Sequence, residues 1–113
     1  MPAQSAAAAR EASYVAGLAK FFPEASPVRI PVRLTRLGSA QPVVESTVIE
    51  FGTSREVLFA TSSSLEFADR LRLQTPDGSL DVEACVVAVQ YHEGHTAVAA
   101  RFSHPVPNWI VKS

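Results

Sequence analysis

The sequence predicts a mainly β fold: a six-stranded antiparallel β-barrel with an N-terminal α-helix. Three observations carry this. Apolar residues at helical spacing occur near the N-terminus only. From Val28 to Phe102 the rhythm changes to two, in six short runs. Turn-forming clusters such as GSAQP, GTSRE, PDG and EGH separate those runs at regular intervals. Short strands in succession, with no helix between them, argue for an antiparallel sheet closed into a small barrel.

The elements follow in chain order. Ser5 to Phe22 is alanine-rich, and Tyr14, Val15, Leu18, Phe21 and Phe22 recur on one helical face. Ser5 is a suitable cap, and Pro23 and Pro27 end the helix. In the first strand Val28, Ile30, Val32 and Leu34 share one face, and Arg29, Pro31, Arg33 and Thr35 the other. Pro31 lacks a ladder donor, which places this strand at an edge or kinks it there. After the Gly38–Pro42 loop come VVESTVIEF, the turn GTSRE, and VLFAT as second and third strands. SSSLEFADR leads into the fourth strand LRLQT, and PDG turns the chain into LDVEACVVAVQYHE. EGH then closes a hairpin onto TAVAARF. Residues 1–23 are thus helix and linker, and residues 24–113 the barrel with a C-terminal tail. In that tail the Trp109–Ile110–Val111 cluster, like the Phe21–Phe22 pair, is suited either to sealing a barrel end or to meeting a protein partner.

Composition narrows the function classes. A net charge of −1 over 113 residues argues against a broad surface for nucleic-acid polymers. An anionic ligand would have to be met by a local group of arginines. No apolar run approaches the roughly 20 residues of a membrane span, so no membrane insertion is expected. The single cysteine, Cys85, lies in the apolar run ACVVAV and is expected in the core. One cysteine with no internal partner fits a reducing compartment, and the expected location is cytoplasmic. His92, Glu93 and His95 flank a turn without a third or fourth ligand nearby, and His104 lies beyond the last strand, so no metal site is expected. No nucleophile elbow, glycine-rich phosphate loop or carboxylate pair stands out; neither enzymatic activity nor a cofactor is expected.

The segments RIPVRL, TVIEFGTSREVLFAT, LEFADRLRL and VEACVVAVQYHEGHTAVAARF, in this order, resemble the PilZ family of bacterial six-stranded barrels that sense cyclic di-GMP. The likeness covers about two-thirds of the chain and lies mainly in strand rhythm. It implies a PilZ-like, cytoplasmic, non-enzymatic signalling domain with cyclic di-GMP as ligand. The family grips its nucleotide with an Arg-x-x-x-Arg segment ahead of the first strand and an Asp/Asn-x-Ser-x-x-Gly motif ending the second. Guanidinium forks suit phosphates and guanine edges and stack on purines.

Carried onto this chain, the resemblance makes Arg29, Arg33, Thr53, Ser54 and Arg55 the candidate ligand-binding residues. Arg29 and Arg33 have the family spacing but lie inside the first strand, where FFPEASP precedes them. In the second motif Phe51 takes the acidic position, Thr53 the serine position and Glu56 the glycine position. Each candidate also has a structural reading. Four residues along a strand span about 13 Å, so the two arginines flank a ligand or simply form a solvent-facing row. Arg36, out of register with them, reads as a solvated charge at a loop end. Thr53 and Ser54 suit local turn bonding, with Gly52 at positive φ. These departures favour an alternative function, an interaction adaptor that keeps the barrel and no longer takes the nucleotide. A protein partner is expected under either reading.

Overall fold

The computed structural model describes residues 15–38, 44–92, 94–104 and 106. Residues 5–14 of the helix expected over 5–22, most of the first loop, Glu93 and the Trp109–Val111 cluster lie outside them. The described elements are a short helix α1 (residues 15–19) and strands β1 (Ser26–Arg36), β2 (Val44–Gly52), β3 (Glu56–Thr61), β4 (Arg70–Gln74), β5 (Asp81–His92) and β6 (His95–Phe102). They close into an antiparallel barrel in the order β1-β2-β3-β6-β5-β4, with β4 returning to β1. No helix among the described residues is long and apolar enough to cross a membrane.

The helix stops earlier than its apolar spacing suggests. The Phe21 and Phe22 N–H groups donate to the carbonyls of Leu18 and Ala19 at 3.0 and 2.9 Å, three-residue bonds that tighten and finish the last turn. Pro23 disfavours α geometry at Phe22, so the chain leaves the helix there.

Alternation then sorts the side chains. Val32, Leu34, Ile49, Val57, Phe59, Leu71, Leu73, Val86 and Val98 fill the barrel, with Val28 and Ile30 packed against them. A second cluster lies outside the barrel wall: Val15 and Leu18 of α1 cover Leu58, Ala97 and Ala99. The alanines allow this. Small side chains on the outer face of β6 let a helix sit close to the sheet, so both faces of β3 and β6 are buried. That is why VLFA and TAVAA read as unbroken apolar runs.

Bulges reset which way residues face. Between Ile49 and Phe51 the register of β2 on β3 shifts, and Phe51 joins the outer cluster with Phe22. In β5, Ala84 and Val86 take the inward positions, so Cys85 faces outward and is only partly buried. This corrects its expected core placement. It sits in register with Arg70 on one side and Arg101 on the other.

Strand β1 has two neighbours but not along its whole length. It pairs with β2 throughout, with a bulge between Pro27 and Ile30, and with β4 only over Arg33–Arg36. The Leu37 N–H donates to the Arg70 carbonyl at 2.8 Å, so odd-numbered residues of β1 turn their backbone groups toward β4. Pro31 shares that parity but lies beyond the end of β4. Its missing N–H removes no ladder bond, and the strand is an edge only in its first half. Arg36, read as a solvated loop charge, instead pairs with Asp69 at 3.3 Å and is half-buried.

Candidate functional site

The turn between β2 and β3 is built around one hydroxyl. Thr53 Oγ1 accepts from the N–H groups of Arg55 (2.9 Å) and Glu56 (2.8 Å) and donates to Glu56 Oε1 at 3.0 Å. Gly52 is the last residue of β2, paired with Ser26 and Val57; the positive-φ glycines among the described residues are Gly38, Gly78 and Gly94. The hydroxyl does what positive φ at Gly52 was expected to do. Two further bonds hold the turn against the end of β6 and the segment just after it: Phe102 N–H to the Arg55 carbonyl (2.7 Å) and Val106 N–H to the Ser54 carbonyl (2.8 Å). Arg101 directs Nε and Nη2 at Glu56 Oε2, at 3.0 and 2.9 Å.

An open pocket of about 620 Å³ forms where this turn meets the segment after α1. Phe21, Phe22, Pro23 and Glu24 line one side, and Thr53, Ser54, Arg55, Glu56 and Arg101 the other. Phe21 is 74% exposed, an apolar ring at the mouth. Arg55 is exposed and has no acidic partner among the described residues. Two cations and two carboxylates thus share the rim, with the charge of Glu56 already met by Arg101. The Arg55 guanidinium, the Phe21 ring and the exposed Glu24 carboxylate face solution at the rim.

The candidate residues fall in separate places. Thr53, Ser54 and Arg55 are together at this rim. Arg29 is exposed in the bulge of β1. Arg33 stands opposite Ser46 and Gln74, beside a groove of about 450 Å³ that Pro31, Thr75, Pro76 and Gly78 complete. The Ser46–Gly52 stretch of β2 separates it from the turn, roughly 20 Å of strand. Phe51, at the acidic position of the family motif, packs under α1 rather than facing the pocket.

Sequence reasoning missed Phe21 and Arg101 as rim residues. Phe21 reads as part of a helical stripe, and Arg101 is brought to Glu56 only by the β3–β6 register. Elsewhere on the wall the arginines are occupied: Arg70 with Glu83 at 3.1 Å and Arg72 with Asp81 at 2.9 Å. His92 and His95 pair across their hairpin, and no group of three or more metal-ligating side chains occurs among the described residues. In comparison with known proteins, no family model matches this chain and no curated protein is found to be similar to it.

Proposed function

We propose that this chain is a PilZ-like regulatory domain, without enzymatic activity, that takes cyclic di-GMP at the rim between the β2–β3 turn and the segment after α1. The observation that carries the reading is the pocket lined by both the exposed Phe21 ring and the Arg55 guanidinium, which has no ion-pair partner among the described residues. A cyclic dinucleotide offers phosphates and guanine edges for a guanidinium fork and flat purines for stacking on a ring or on arginine. Closure of the barrel in the order β1-β2-β3-β6-β5-β4 supports the likeness in strand rhythm. Arg33 lies roughly 20 Å of strand from the turn and Arg29 is not among the residues that line the pocket, so Arg55 is the main contact. Calorimetric titration with cyclic di-GMP tests this. Heat at about hundred-micromolar ligand, abolished by Arg55→Ala and weakened by Phe21→Ala, is expected; no heat in the wild type overturns the receptor reading.

A second reading has its own observation. The Thr53 hydroxyl is engaged three times by its own turn, and Glu24 and Glu56 place carboxylates beside any dianion. These favour an adaptor whose exposed Phe21 meets a protein. Partner capture that ignores added nucleotide supports the adaptor, and capture that requires it supports the receptor.

A further inference from the structure

We infer that the β1–β2 hairpin is a hinged wall of the barrel and that Glu45 is its latch. The pairing limits point there. The hairpin is joined to β4 only over Arg33–Arg36 and to β3 only over Ile49–Gly52. By contrast, β3 pairs with β6 along its whole length, and β5 with β6 from Ala84 to the hairpin. Among the described residues, strand β2 before Ile49 has β1 as its only ladder partner, while Ala60 and Thr61 of β3 pair only with β6. The sheet is therefore split between β2 and β3, and a cleft of about 330 Å³ opens along the split.

Side chains bridge the split where the backbone does not. Thr47 Oγ1 donates to the Ala60 carbonyl at 2.5 Å. The Glu45 carboxylate accepts from the Thr61 hydroxyl, from the Ser62 N–H (3.0 Å) and hydroxyl (3.2 Å), and from the Ser63 hydroxyl (2.6 Å). An ionised carboxylate accepts without donating, so it suits four donors from three successive residues; a protonated or amidated one does not. Glu45 is also the register partner of Leu34, within the short stretch of β1 that holds β4. Releasing Glu45 thus leaves the short β4 seam, with the Leu37 N–H and the Arg36–Asp69 pair, to hold that end of the hairpin alone, and the Ile49–Gly52 end becomes the hinge. The other titratable groups lining the cleft are Glu50 of β2 and His95 of β6. The inference is independent of any ligand at the rim.

Amide hydrogen exchange on the full chain tests it. The reporters are Ser62, whose N–H meets Glu45, and Leu37, whose N–H meets the Arg70 carbonyl across the other seam. The controls are Phe102 and Ser103, whose N–H groups meet the carbonyls of Arg55 and Glu83 away from the hairpin end. Glu45→Gln is expected to speed exchange at both reporters by about tenfold or more relative to the controls. Thr47→Val, which leaves the carboxylate in place, should do so more weakly. In the wild type the reporter-to-control ratio, corrected for intrinsic exchange, should rise between about pH 6 and about pH 3.5. That acid comparison stands alone if a variant does not fold. A response at Ser62 without Leu37 overturns the hinge, leaving Glu45 a local tether; equal acceleration at reporters and controls, or none, overturns it too.

Discussion

Arg101 and Glu56 lie opposite one another on β6 and β3, and two nitrogens of the guanidinium converge on one carboxylate oxygen. Their surroundings differ: the Arg101 side chain is 56% exposed and that of Glu56 only 14%. Removing the arginine therefore leaves a mostly buried carboxylate with the Thr53 hydroxyl as its remaining side-chain donor. Exposed pairs contribute up to about 1 kcal/mol, and breaking a buried one costs about 3–5 kcal/mol. Arg101→Ala should fall between, destabilising by about 1–2 kcal/mol in urea unfolding. Arg55→Ala, at an exposed residue without an acidic partner among the described residues, should stay within about 0.5 kcal/mol of wild type. That contrast separates the rim residue that holds the turn from the one open to a ligand.

Ala68 has φ 74°, a left-handed conformation that side chains with a Cβ disfavour by roughly 1–2 kcal/mol. It is kept because the Ala68 N–H donates to Val86 O at 2.9 Å and Val86 N–H returns a bond to Asp69 O at 2.9 Å. Asp69 adds a bond to the Glu66 N–H at 2.8 Å. Ala68→Gly should relieve the strain while loosening the unfolded chain, for a net gain of about 0.5–1 kcal/mol measured by chemical denaturation. A loss of stability would mean the alanine methyl contributes packing that outweighs the backbone term.

Ala99 is fully buried on the outer face of β6, beneath Val15 and Leu18. Ala99→Leu should lift α1 and destabilise by about 1–3 kcal/mol, because a well-packed contact has no room for added methylenes. Methyl resonances of Val15 and Leu18 should shift while those of Val86 and Val98, inside the barrel, stay in place. Shifts confined to the barrel interior would place the alanine on the wrong face.

Acid should weaken the fold through Glu45. Partial burial pushes its carboxyl up, but the bonds from Ser63, Thr61 and Ser62 together outweigh this and hold it below the usual carboxylate range. A carboxyl lowered in the folded state contributes stability above its unfolded pKa and loses it as pH falls through the folded value. The loss therefore begins below about pH 4.5 and deepens on further acidification. Because the group is partly exposed, solvent screening keeps the effect modest. Urea midpoints measured from neutral pH downward should show this slope in the wild type and a shallower one in Glu45→Gln.

The strands were legible because one face of each carries the barrel interior. Val28, Ile30, Val32 and Leu34 do pack together, and the turns fall where glycine, proline and aspartate cluster. The outer burial was not legible. Nothing in VLFA or TAVAA distinguishes a residue under a helix from one inside a barrel, and for the same reason ACVVAV misplaces Cys85. The site was harder still. The turn chemistry of Thr53 follows from local sequence, whereas the meeting of Arg101 with Glu56, and of Phe21 with Arg55, depends on long-range register and on where α1 stops. The bulge that turns Phe51 outward leaves no mark in the alternation of VVESTVIEF.

Pro31 carries a consequence for how molecules of this protein meet at high concentration. The first half of β1 has no ladder partner on its β4 side among the described residues, and an unpaired strand margin there is a template for another chain to extend the sheet. At Pro31 such a chain finds a carbonyl but no hydrogen to receive, so growth from that margin is broken at its middle. A single imino acid thus discourages aggregation at a place where the barrel wall is incomplete.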